Sequence, residues 1–74
     1  MPALSALSPD LRAAVPAMAV GGHVHSPAPA SRMLIVNGQV LREGDAVAPE
    51  VRLETIGRKS AVFSVRGQRF EMPL

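Results

Sequence analysis

The 74-residue chain has no cysteine, no tryptophan, no tyrosine and only two phenylalanines. Without cysteine there can be no disulfide, no thiolate nucleophile and no thiolate zinc site. The compartment stays open, because an oxidising one permits disulfides without requiring them. With so few aromatics the core must come from Val, Leu, Ile, Met and Ala, in a domain small enough to bury only about 60% of the surface its unfolded chain exposes. Charge is sparse too. Eight Lys/Arg against six Asp/Glu give +2, too small an excess to mark a nucleic-acid binder by itself. No apolar run approaches the roughly 20 residues of a membrane span, and the N-terminus lacks the basic and apolar regions of a signal peptide. The chain as given is expected to be soluble.

What is present divides at residue 31. Residues 1–31 hold five of the seven prolines and two charges, Asp10 and Arg12, whereas residues 32–74 hold twelve charges and most of the β-branched residues. Residues 1–17 are expected as a flexible Pro/Ala-rich linker with room for one short helix: Ser8 can cap it, Pro9 fits its first position, and Pro16 stops it. Residues 18–74 are expected as a small all-β interaction domain.

The strand signals begin at "MAVGGHVHS", where Met18, Val20, Gly22 and Val24 fall on one side of an extended chain and Ala19, Gly21, His23 and His25 on the other. Gly21-Gly22 marks a bulge or a close backbone approach. Asn37-Gly38 supplies the two positive-φ positions of a type I′ turn, which pairs Val36 with Gln39, Ile35 with Val40 and Leu34 with Leu41. Both faces of this hairpin are apolar, so it should be central or covered on its second side. Glu43-Gly44-Asp45 then forms a corner with Gly44 at positive φ. Val51 and Leu53 alternate inward against Arg52 and Glu54. A second hairpin, around Arg66-Gly67, sets Phe63 against Phe70 and Ala61 against Met72. About six short antiparallel strands joined by glycine turns make a small all-β sandwich or open barrel.

Catalytic patterns are missing. There is no GxSxG and no glycine-rich phosphate loop. The Asp and Glu residues after position 40 fall at turns or on outward strand positions, where a carboxylate is solvated. "HVH" puts His23 and His25 on one strand face, a spacing that could offer two imidazoles to a metal, but no third ligand is close in sequence. Neither enzyme activity, cofactor nor bound metal is expected. Arg58, Lys59, Arg66 and Arg69 give the last third a basic tilt, yet single-stranded nucleic acid wants exposed aromatics for stacking. Phe63 and Phe70 fall on the apolar face. A sheet edge remains: Val20, Gly21, Gly22, His23, Val24, His25 and Ser26 carry little to discourage another strand from pairing.

"GGHVHSPAPASRMLIVNGQVLREGDAV", then "LETIG", then "VRGQRFEMPL", resembles the C-terminal periplasmic domain of type II secretion system protein B, also called general secretion pathway protein B. The matching elements run in order: Gly22-His23, Ser26, Arg32, Asn37-Gly38, Glu43-Gly44-Asp45, Ile56 and Gly67 to Phe70. The sequence departs at His25, where the family commonly carries an aromatic, and at Gly21, where serine is usual. The resemblance implies a fold similar to the homology region of secretion protein C. It also implies a full-length protein anchored in the bacterial inner membrane, with this domain in the periplasm. Its non-catalytic role would be to assist secretin assembly or stability, by docking to the secretin's periplasmic N-terminal domain or to secretion protein A. The first strand, Val20 to Ser26, would be the contact. Asn37, Gly38, Glu43, Gly44, Asp45 and Gly67 would be structural. A homodimer through the same edge, and a basic β-barrel binding nucleic acid or a cell-wall polyanion, stay open as alternatives.

Overall fold

Short apolar alternations interrupted by positive-φ turns fold this chain into two antiparallel sheets. The computed structural model describes residues 1–74. Three strands, β1 (Val20–Val24), β2 (Met33–Val36) and β3 (Gln39–Leu41), form one sheet in that order; β4 (Ala46–Ala48), β5 (Val51–Ile56), β6 (Ser60–Val65) and β7 (Gln68–Pro73) form the other, also in sequence order. The architecture is the expected all-β sandwich with one more strand than anticipated. That strand is β4, whose Ala-Val-Ala is too short to carry an alternation signal.

The core lies between the sheets. Leu34, Val36 and Leu41 meet Val51, Leu53, Ile56, Ala61, Phe63, Val65 and Phe70 in a single buried cluster. The register puts Phe63 opposite Phe70, with ring centroids 5.7 Å apart and stacked. The β2–β3 and β6–β7 hairpins each turn on a left-handed pair: Asn37 and Gly38 at φ 52° and 79°, Arg66 and Gly67 at 48° and 83°.

Two bulges change faces that simple alternation would assign. Between Leu53 and Thr55 the register slips by one, so Leu53 and Ile56, three residues apart, both point into the core. In β1, Val20 pairs with Val36 and Gly22 with Ile35, which leaves Gly21 as the extra residue. This corrects the face assignment read from sequence. Directly opposed residues share a face, so Val20 lies inward with Val36, whereas Gly22 and Val24 lie outward with Ile35 and Met33.

Residues 1–17, expected as a linker, here lie against the body. Helix α1 (Pro9–Ala14) starts at Ser8, whose Oγ accepts the Leu11 N–H at 3.4 Å. Leu7 is buried, and Leu4, Leu11 and Val15 pack on the core. Ala3 makes a parallel bridge to Glu71, and the Glu71 N–H donates to the Pro2 carbonyl at 2.8 Å, so the chain's own start covers part of the β7 edge. No helix is long and apolar enough to cross a membrane.

Candidate protein-docking edge

Strand β1 is an edge of the three-stranded sheet, paired with β2 alone. Which of its backbone groups are free follows from parity. The closing pair of a two-residue hairpin is hydrogen-bonded, so Val36 and Leu34 direct their backbone groups to β3, and Ile35 and Met33 direct theirs to β1. The Asn37 N–H, next in that series, donates to the Ala19 carbonyl at 2.9 Å. Gly22 and Val24 therefore bond to β2, and His23 turns its N–H and C=O away from the sheet.

The edge is held by residues distant in sequence. Asn37 does more than turn the hairpin: its Oδ1 accepts the Ala19 N–H at 2.8 Å and its Nδ2 donates to the Ala17 carbonyl at 3.0 Å. The chain entering β1 is thus fixed to the tip of the neighbouring hairpin. At the other end, His23 Nε2 donates to the Arg58 carbonyl at 3.1 Å and His25 Nδ1 to the Ile56 carbonyl at 3.2 Å, which ties β1 and the residue just past it to the end of β5 and the turn that follows it in the opposite sheet. The two imidazoles share a face, and each engages a backbone carbonyl rather than a common point. No group of three or more His, Asp or Glu comes together to hold a metal.

Of the seven residues proposed from sequence as the contact strand, five form β1; His25 and Ser26 lie beyond its end. The Ser26 Oγ accepts the Ala28 N–H at 3.2 Å, and its carbonyl accepts Arg32 Nε at 2.6 Å.

The Glu43-Gly44-Asp45 corner carries the chain from one sheet to the other. Glu43 Oε2 accepts both Arg32 Nη1 (3.3 Å) and the Ile56 N–H (2.8 Å), joining the sheets through one carboxylate. The Gly44 N–H donates to the Leu53 carbonyl at 2.7 Å, the Leu53 N–H to the Asp45 carbonyl at 2.9 Å, and Asp45 Oδ2 accepts the Arg42 N–H at 2.8 Å. These residues position β1 indirectly, by fixing the sheet on which it lies.

One apolar face has no cover. The second face of the β2–β3 hairpin, expected to be central or covered, is open: Val24, Ile35 and Val40 are 49%, 37% and 58% exposed. The outer face of the second sheet carries Arg52, Glu54 and Ser64, with the Ser64 hydroxyl donating to Glu54 at 2.7 Å and Arg66 paired to Glu50 at 3.0 Å. Both phenylalanines are fully buried, so neither offers a ring to a nucleobase.

A profile of the family described as type II secretion system protein B matches residues 15–74. The chain is 41% identical over 69 residues to general secretion pathway protein B of Aeromonas hydrophila. That match takes in 93% of this chain and spans 30% of the length of the relative. Among solved structures, the crystal structure of Dickeya dadantii GspB from the type 2 secretion system superposes with a TM-score of 0.73 at 32% identity, covering 76% of this chain and 67% of that one.

Proposed function

The chain belongs to the type II secretion system protein B family, and from that premise we propose that it is a non-enzymatic periplasmic docking domain whose β1 edge pairs with a strand of another secretion component. The observation that carries the reading is the open edge of β1, backed by an uncovered apolar face and anchored at both ends by Asn37, His23 and His25. An edge strand offers main-chain hydrogen bonds to any extended segment, and fixing it in advance lowers the ordering cost of binding. The partner we infer is the periplasmic N-terminal domain of the secretin, with secretion protein A as the second candidate. On this reading the full-length protein is anchored in the inner membrane, and docking assists assembly or stability of the outer-membrane channel. The buried phenylalanines favour this over a barrel that binds single-stranded nucleic acid.

The test is an NMR titration of the isotope-labelled chain with the secretin's periplasmic N-terminal domain at low and high salt. Amide shifts concentrated in Val20–Val24 and resistant to salt are expected, because strand pairing depends weakly on ionic strength whereas polyanion binding falls steeply with it. Shifts that miss β1, or that vanish at high salt, overturn the reading.

A further inference from the structure

Beside the β1 edge, the open face of the first sheet is not flat. His23, Val24, Met33, Ile35 and Val40 line a hollow of about 130 Å³ without a charged side chain in its wall. An apolar cavity of roughly 150 Å³ admits a benzene ring, so a hollow of this size takes one aliphatic side chain and not the face of a helix. The exposed parts of Val24, Ile35 and Val40 sum to an apolar patch on the order of a few hundred Å². A stable dimer needs about 800 Å² from each partner, so the patch is too small to be half of a sheet-to-sheet interface between two copies. One extended segment matches it.

Gly22 supplies the way in. It lies on the outward face opposite Ile35, and a Cβ built there would sit 4.0 Å from Ile35 Cδ1, in ordinary contact. With no side chain at this position, the lane from the free edge to Ile35 is open. On an added strand, the residue level with Gly22 that faces outward would lie across this lane, because side chains on one face of a sheet stand beside their cross-strand neighbours.

We propose that the hollow anchors one aliphatic side chain of the extended strand that pairs with β1, entering over Gly22. The proposal rests on the reading of β1 as the docking edge and adds the chemistry by which a partner is chosen: main-chain bonds at His23 hold any strand, and the hollow selects among them.

The probes are three acetylated, amidated octapeptides of alternating Thr and Ser that differ only at a central residue, which is Leu, Ala or Asp. Each is titrated to millimolar concentration into the full chain carrying labelled methyl groups and amides. The Leu peptide should shift the Val24, Ile35 and Val40 methyls together with the β1 amides, and bind roughly tenfold more tightly than the Ala peptide. The Asp peptide should be weaker than both. Gly22→Val fills the lane with a residue that suits a strand and whose Cβ has room beside Ile35; it should keep the fold and its melting temperature while abolishing the preference for Leu. Equal β1 amide shifts from the Leu and Ala peptides, with the methyls unmoved, overturn the anchor and leave the edge reading standing. Methyl shifts without β1 amide shifts retain the hollow as a site and overturn the edge. No shift with any peptide overturns both.

Discussion

Asn37 and Ala19 bond to each other twice: the Ala19 N–H donates to Asn37 Oδ1 at 2.8 Å, and the Asn37 N–H donates to the Ala19 carbonyl at 2.9 Å. A turn residue thereby becomes the anchor of an edge strand 18 positions away. Asn at the first position of a type I′ turn is ordinarily explained by its tolerance of positive φ. Here its amide has a second task that glycine, equally suited to the turn, could not perform.

Asn37→Gly separates these two tasks. The substitution keeps a left-handed turn and removes the bonds to Ala19 N and Ala17 O. At about 1 kcal/mol per hydrogen bond, the loss should be about 2 kcal/mol, concentrated at the start of β1. Hydrogen exchange should show faster exchange at Val20–Val24 with the β2–β3 pairing retained. Uniform loss of protection would mean that the clamp is not local to β1.

Glu43→Ala should be among the most costly changes outside the core. The carboxylate is largely buried and receives a guanidinium and a backbone N–H from different parts of the chain. Hydrogen bonds to a charged group are each worth about 1.5–3 kcal/mol, and removal strands the Ile56 N–H and Arg32. A drop of about 3 kcal/mol in urea unfolding is expected, with Glu43→Gln recovering part of it. A loss below about 1 kcal/mol would show that the corner stands without this bridge.

Gly44 has φ 93°, and a Cβ built on it would meet nothing within 4 Å. Any penalty for Gly44→Val is therefore backbone strain and not crowding, about 1–3 kcal/mol and toward the upper end for a β-branched residue. For a domain of this size, each kcal/mol lowers the melting temperature by about 4–8 °C. An unchanged melting temperature would contradict the left-handed corner.

Proline distinguishes the two sides of β1. The amide of Val24 faces β2, so Val24→Pro removes a ladder bond and should lower stability. The amide of His23 faces outward, so His23→Pro should cost less in stability and yet abolish docking. Because it also deletes the bond to the Arg58 carbonyl, the matching control is His23→Ala, which should still bind. Equal affinity of the His23→Pro and His23→Ala variants for the secretin domain would remove β1 from the interface.

Much of the frame was legible because its causes are local. Asn37-Gly38 and Arg66-Gly67 fix two hairpins through the φ values of two residues each, and once a two-residue turn is set, the pairing of Leu34 with Leu41 and of Phe63 with Phe70 follows by counting. The Glu43-Gly44-Asp45 corner was legible as a turn for the same reason. Alternation then assigned Ala61, Phe63, Val65 and Phe70 to the buried face, where they are found.

Other features depend on partners far away in the chain. Counting by twos from Val20 puts Val24 on the same face, and only the pairing of β1 with β2 reveals Gly21 as an extra residue that reverses it. The glycine pair signalled an irregularity but not which residue would be left out. His23 and His25 look like a metal-binding pair until the end of β5 comes within reach of their rings. The double-sided apolar hairpin called for a cover on its second face, and the folded chain leaves that face open at Val24, Ile35 and Val40. The sequence alone determined where the chain turns and which residues pair across each hairpin, because φ preferences and the period of two act within a few residues. The tertiary structure decided that β1 is left as an edge strand and which apolar face stays uncovered, because each depends on how two sheets share one core.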